Sequence, residues 1–341
     1  MPELELRGLS REGFPVAALA AYGLLRVLAE EGVGAGLSFA DPRGRPVARL
    51  HLPEGWEEER LLGFLENHTR RIGPERFGLP PRKEKKANRK GKKQPPGEGE
   101  NQPQGKEAKE GKKLYTPGEV RARLASGDQA SPFLLAYVNP WWEPKGQTIR
   151  SPLDTSSGNQ NFWSFLWSRL DLVKKYPMRP VFRRALFKSV ILPPDPLLRE
   201  EDPGHPLFGD EVPDLKWHPV RKRESADQAE LADEEKKELT LRVSPGALLL
   251  ALEALPFYPF PLGRSSLPLG FARERGGKGR SLLLLPTSEH PVDVELLKAL
   301  IALAPHLKLK GRTSDLTVWA SPLNRDGRND YPCFLQALPF T

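Results

Sequence analysis

The sequence predicts an α+β fold, with small antiparallel or mixed sheets, helices packed on them, and one long Lys-rich insertion. Three observations carry that expectation. Apolar residues recur at helical spacing in several separate segments. Short apolar runs bounded by Gly, Pro and Asp read as strands between them. The 341 residues contain 36 Pro and 30 Gly, which divide the chain by many loops and keep each element short.

Leu4, Leu6 and Leu9 make an opening strand. Pro15, tolerated in a first helical turn, starts a helix that runs to Glu31 and stops at Gly32. Val16, Leu19, Ala20, Gly23, Leu24, Val27 and Leu28 recur on it at helical spacing, and the small ones among them permit close packing. Gly36 to Phe39 and Val47 to Leu52 flank Asp41-Pro42-Arg43-Gly44, the turn chemistry of a β-hairpin. Trp56 to Ile72 is a second helix, with Glu57 to Glu59 in its first turn and Arg70 and Arg71 in its last, the order that complements the helix dipole. Residues 1–79 therefore form an N-terminal α+β unit compatible with ferredoxin-like elements.

Residues 80–113 are a disordered basic linker by composition: Lys, Glu, Gly, Gln, Asn and Pro, with no aromatic or β-branched residue to bury. Twelve Lys and Arg stand there against five Glu, so +7 of the chain's net charge of +8 sits in this one stretch. It serves as a solvated spacer or as a tether for phosphates.

Residues 114–341 make an α+β body. The expected elements are a helix over Tyr115 to Ser126, a strand over Phe133 to Val138, a helix from Asn161 to about Lys175 and a basic helix over Pro180 to Ser189. Residues 193–214 and 221–237 are expected to run over the surface. After them come a strand over Leu239 to Val243, a buried helix over Gly246 to Leu255, and strands at Leu267 to Ala272 and Ser281 to Pro286. A helix over Val292 to Ala304 precedes the closing strands at Leu316 to Trp319 and Phe334 to Ala337.

Several function classes find no footing. The longest apolar stretch, Ala247 to Phe260, is cut by Glu253 and Pro256 and is too short to span a bilayer. Met1 to Arg7 alternates charged and apolar residues and is not a secretion leader. A single cysteine, Cys333, excludes an intrachain disulfide and a multi-cysteine zinc site, and fits a cytoplasmic protein. Two Met and one Cys among many Pro, Arg and Glu fit a thermophile. The six His, at 51, 68, 205, 218, 290 and 306, have no metal-ligand spacing.

Asp214-Leu215-Lys216 supplies half of a metal-dependent nuclease signature, but without an upstream acid. Gly276-Gly277-Lys278-Gly279 lacks the spacing and the Ser or Thr of a phosphate loop. Ser156 and Ser157 sit in no nucleophile elbow. The expectation is a non-enzyme with no catalytic residue, metal or cofactor. A metal-dependent nucleic-acid-processing enzyme and a protein–protein scaffold with a basic tether are the alternatives.

The aromatic and basic segment 139–190 points to nucleic acid. Trp141, Trp142, Phe162, Trp163 and Trp167 interleave with Lys145, Arg150, Gln160, Arg179, Arg183, Arg184 and Lys188. Rings stack on bases, cations meet phosphates and amides bond base edges. Trp163 and Trp167, four apart, equally fit a core face. The helix cations equally fit a solvated face. Asn159 and Gln160 precede a helix and form an N-cap or an anion site. Arg273, Arg275, Lys278 and Arg280 cluster about a turn as further phosphate contacts.

Three colinear stretches resemble the compact large-subunit (Csb-type) family of type I-U, or I-G, CRISPR interference complexes. They are Ala20-Ala21-Tyr22-Gly23-Leu24-Leu25-Arg26, then Trp141-Trp142 with Gly158-Asn159-Gln160, then the apolar helix from Ala247 into Pro256-Phe257-Tyr258-Pro259. Thr155-Ser156-Ser157 before Gly158, and the Lys-rich insertion, depart from that pattern. The resemblance implies an antiviral-defence subunit that contacts guide RNA (crRNA) and target DNA beside other Cascade subunits, including backbone and guide-processing proteins. Base pairing then reads sequence and a separate helicase-nuclease cuts.

Overall fold

A computed structural model describes residues 2–10, 15–41, 46–78, 115–153, 175–193, 195–203, 205–206, 242–274, 279–307, 315–324, 333–334 and 337–340. The Lys-rich stretch 80–113, all but the last residue of the helix expected over 161–175, and the charged stretch 221–237 lie outside them.

The first elements are β1 (Glu3–Ser10), α1 (Val16–Glu30), β2 (Gly36–Ala40), β3 (Val47–His51) and α2 (Glu58–Arg71). The strands pair antiparallel in the order β1-β3-β2, with Leu4 and Leu37 both opposite Leu50. With β3 between them, β1 and β2 run parallel, which is the split βαβ arrangement of ferredoxin-like folds. Alternation sorts the faces: Leu6, Phe39, Ala48 and Leu50 are buried, while Glu3, Glu5 and Arg49 ion-pair on the other side.

Next come α3 (Pro117–Ala125) and α4 (Ser131–Tyr137). A capping box starts α3: Thr116 Oγ1 accepts from the Glu119 N–H, and the Glu119 carboxylate accepts from the Thr116 N–H. The strand expected over 133–138 is instead α4. A short unbroken apolar run has no period to separate strand from buried helix. Pro132 in the first turn and the good helix formers Leu134, Leu135 and Ala136 decide it.

The chain continues with α5 (Met178–Phe187), β4 (Ile191–Leu192), α6 (Asp195–Glu201), β5 (Arg242–Val243) and α7 (Pro245–Glu253). Helix α6 falls in the stretch expected to run over the surface, and it sends Leu198 into the interior. The last elements are β6 (Phe271–Arg273), β7 (Ser281–Ser288), α8 (Val294–Leu303), β8 (Leu316–Asn324), β9 (Cys333–Phe334) and β10 (Leu338–Pro339). They build an antiparallel sheet in the order β10-β8-β7-β6, with β9 also on β8. The α+β expectation holds.

Helices α1 and α7 form the centre. Every α1 residue from Val16 to Leu28 is buried, as is every α7 residue, the pattern of helices covered on all sides. A Cβ at Gly23 would lie 1.7 Å from the Leu250 carbonyl oxygen, so only glycine lets the two backbones come this close. Tyr22 Oη donates to the Pro286 carbonyl at 2.6 Å and ties α1 to β7. One continuous apolar core runs from Leu6 through α1, α2, α4, α5 and α7 to Ala337, so residues 1–79 and 114–341 share an interior.

Strand β7 is apolar on both faces. Leu283 and Leu285 join that core with Trp319, while Leu282 and Leu284 pack with Ala304, Val318 and Ala320 in a smaller cluster on the other side. No helix among the described residues is long and apolar enough to cross a membrane.

Candidate nucleic-acid interface

Two loops stand side by side next to α4. The first spans 138–150 and is closed at its base by a bridge between Val138 and Arg150, with the Asn139 N–H donating to the Ile149 carbonyl at 2.9 Å. The second spans 259–269 and is closed by the Leu269 N–H donating to the Pro259 carbonyl at 2.9 Å. Asn139 joins them: its Nδ2 donates to the Ser265 carbonyl at 2.7 Å and to the Gly263 carbonyl at 3.5 Å, the two carbonyls on either side of Arg264. Its Oδ1 accepts from the Trp141 N–H at 2.8 Å, which fixes where the aromatic pair leaves the core. Arg121 Nη1 holds the same turn by donating to the Pro140 carbonyl at 2.5 Å.

Trp141 is 40% exposed, while Trp142 is half-buried. Lys145 is exposed and has φ of 52°, a left-handed conformation costly for a side chain with a Cβ. Arg150 is exposed at the base of the first loop and Arg264 near the tip of the second. Among the described residues, no acidic side chain ion-pairs with Lys145, Arg150 or Arg264. Leu262, beside Arg264, is 83% exposed. Arg273, from β6, donates to the Ser266 hydroxyl at 3.4 Å, which ties it to the second loop, and to the Gly279 carbonyl at 3.0 Å. Arg280 is half-buried nearby in sequence. Asn159, Gln160, Arg275 and Lys278, with Phe162, Trp163 and Trp167, lie outside the described residues.

The α5 arginines are elsewhere and are paired with glutamates. Arg179 Nε donates to Glu66 Oε2 at 2.7 Å, and Arg183 pairs with Glu58 at 3.0 Å and with Glu59. Buried Arg184 pairs with Glu201 at 2.6 Å, and Lys188 Nζ donates to the Glu201 carbonyl at 3.5 Å. They knit α5 to α2 and α6. Sequence reasoning did not single out Arg264 or Arg121; Arg121 reaches Pro140, and the carbonyls flanking Arg264 reach Asn139, through tertiary contacts with no local pattern to announce them.

Two polar constellations sit apart from the loops. Glu253, at the end of α7, receives Arg26 Nη1 at 2.7 Å, Arg76 Nε at 2.7 Å and Arg76 Nη2 at 2.8 Å, with His68 Nε2 at 3.4 Å. Burial pushes its carboxyl up, but the hydrogen bonds from His68 and Arg76 and the charges of Arg76 and Arg26 outweigh that and hold it at about 2. Both guanidinium groups also face the Phe133 ring, at 4.9 and 5.9 Å. Glu30 pairs with both guanidinium groups at the rim of this cluster, which joins α1, α2, α4 and α7.

On the sheet, Ser38 Oγ lies 2.8 Å from His51 Nε2, and Glu3 lies 3.9 Å from His51 Nδ1. The Leu37 N–H and carbonyl bond Val292, so those of Ser38 point into the β2-β3 ladder and are not available to hold an oxyanion. Burial lowers the His51 pKa. Asp214 and Lys216 lie outside the described residues. No group of three or more His, Cys, Asp or Glu among the described residues is arranged to hold a metal ion.

A concavity of about 1240 Å³ opens on the outer face of the second sheet, lined by Leu282, Ala320, Pro322, Leu338 and the 305–307 turn, with Ser265 and Ser266 of the second loop at its edge. No protein-family model, curated protein or solved structure matches this chain.

Proposed function

We propose that this chain is a nucleic-acid-binding subunit, without chemistry of its own, of a CRISPR interference complex of the type I, Cascade kind. It works in the cytoplasm, contacts guide RNA and target DNA beside the other subunits, and leaves cleavage to a helicase-nuclease. The observation that supports this reading best is the exposed Trp141 ring on the same loop as Lys145 and Arg150, two cations without an acidic partner among the described residues. Ring faces and unneutralised cations are what a polynucleotide needs from a protein surface. The apolar concavity beside the second loop supports a place among other subunits.

The test is a binding assay with the full chain and with a form lacking residues 80–113, using labelled single-stranded and duplex DNA and RNA over rising salt. Both forms are expected to bind, with affinity falling linearly on a log–log plot against salt. Complete loss of affinity in the deleted form assigns binding to the Lys-rich stretch instead. Absence of binding by both forms at low salt rejects the reading.

A further inference from the structure

The two loops joined by Asn139 present one exposed ring, one exposed leucine and three unneutralised cations on neighbouring stretches of chain. Only Val138 and Arg150 are bridged across the first loop, and its flank is taken up by the second. The pair therefore forms a two-loop ledge, in which the second loop braces the first, and not the free two-stranded ribbon that enters a major groove about 12 Å wide. A duplex also hides its base faces, so an aromatic ring can stack on them only after unstacking a step, at a cost of a few kcal/mol. An unpaired strand offers its base faces at no such cost.

The charge count agrees. Holding a duplex through about six to ten phosphates takes a comparable number of Lys and Arg side chains. Here, among the described residues, Lys145, Arg150 and Arg264 are the loop cations held by neither an acid nor a carbonyl; Arg121 and Arg273 beside them donate to the Pro140 and Gly279 carbonyls, and Arg179, Arg183 and Arg184, which would widen a basic footprint, are bound to glutamates. The left-handed Lys145 adds a separate sign: a strained backbone is kept at the one position that sets a cation at the loop tip, where Gly or Asn would fit without strain.

We propose that this ledge is a site for a short unpaired strand, with a base stacked on Trp141 next to Leu262 and the neighbouring phosphates held by Lys145, Arg150 and Arg264. The proposal rests on the nucleic-acid reading above and adds to it the strand state, the stacking residue and the second loop. The bound phosphates number about three, so log affinity falls with log salt with a slope of about −2.

The experiment uses the full chain with three fluorescent probes: a twelve-nucleotide oligo-dT, the matching oligo-U and a blunt duplex, read by anisotropy and by quenching of tryptophan emission. The expected result is that the unpaired probes bind more tightly than the duplex. Trp141→Ala weakens them about tenfold or more and removes part of the quenching, Trp141→Phe keeps most of the affinity, and Arg264→Gln makes the salt slope shallower by about 0.7. Circular dichroism of each variant verifies that it is folded. Duplex bound as tightly as the unpaired probes, or unpaired binding untouched by Trp141→Ala and Arg264→Gln, overturns this proposal and leaves the nucleic-acid reading standing. Failure of the wild-type chain to bind any probe overturns both.

Discussion

Arg26 and Glu253 meet inside the protein, with Nη1 of the arginine donating to Oε2 of the glutamate at 2.7 Å and side chains only 9% and 1% exposed. Arg76 completes the arrangement with two further bonds to the same carboxylate, so one buried anion holds two guanidinium groups between α1 and α7.

Removing the charge of Glu253 leaves the half-exposed Glu30 as the remaining anion for both Arg26 and Arg76. Glu253→Gln is expected to destabilise the protein by about 2–3 kcal/mol, the cost of charge-assisted bonds lost in the interior. Urea unfolding of the two forms checks this through the shift in midpoint at unchanged slope.

The same carboxylate makes the fold sensitive to acid. Its pKa in the folded protein, about 2, lies below the usual 4.5, so its contribution is fully present above the usual value and is lost as the pH falls from about 4.5 through about 2. Thermal unfolding between pH 6 and pH 2 is expected to show the loss in that window, and Glu253→Gln to flatten it.

Gly23 sets the distance between the two central helices. Gly23→Ala forces its methyl group against the Leu250 carbonyl, and a cost of about 3 kcal/mol or more is expected from the displaced helix. Ala is otherwise the better helix former, so any gain in stability by calorimetry would disprove the close approach.

Lys145 separates stability from binding. Lys145→Asn puts a residue tolerant of the left-handed region at the loop tip, so the melting temperature is expected to hold or rise while affinity for nucleic acid falls. Calorimetry and anisotropy on the same sample give both readings.

The α5 arginines provide the control. Arg179→Gln and Arg183→Gln break exposed pairs with Glu66, Glu58 and Glu59, with an expected stability change of about 1 kcal/mol or less and no change in affinity. A large loss of affinity in the anisotropy assay would place the binding surface on α5.

The sequence made α1, the β2-β3 hairpin and α7 legible because each is written in local terms: small and apolar residues at helical spacing, turn residues between two short runs, a helix apolar all round. Helix α4 was not legible as a helix, since six apolar residues in a row, Phe133 to Val138, fit either periodicity and the choice fell to Pro132. For the site, the exposed Trp141 and the cations around it could be read from composition. What could not be read was which cations are already taken: Arg179 looks open in sequence, and its partner Glu66 is 113 residues away. Arg264 stayed hidden for the same reason, because only folding sets it beside Asn139.

The contact of α1 with α7, and of Tyr22 with Pro286, sets a schedule for biosynthesis. A ribosome adding roughly 5–20 residues per second leaves α1 waiting between about ten seconds and a minute for the segments that cover it. Throughout that interval the nascent chain displays a greasy rod of Ala, Leu and Val, which makes it a client for holding chaperones and makes truncated translation products prone to precipitate.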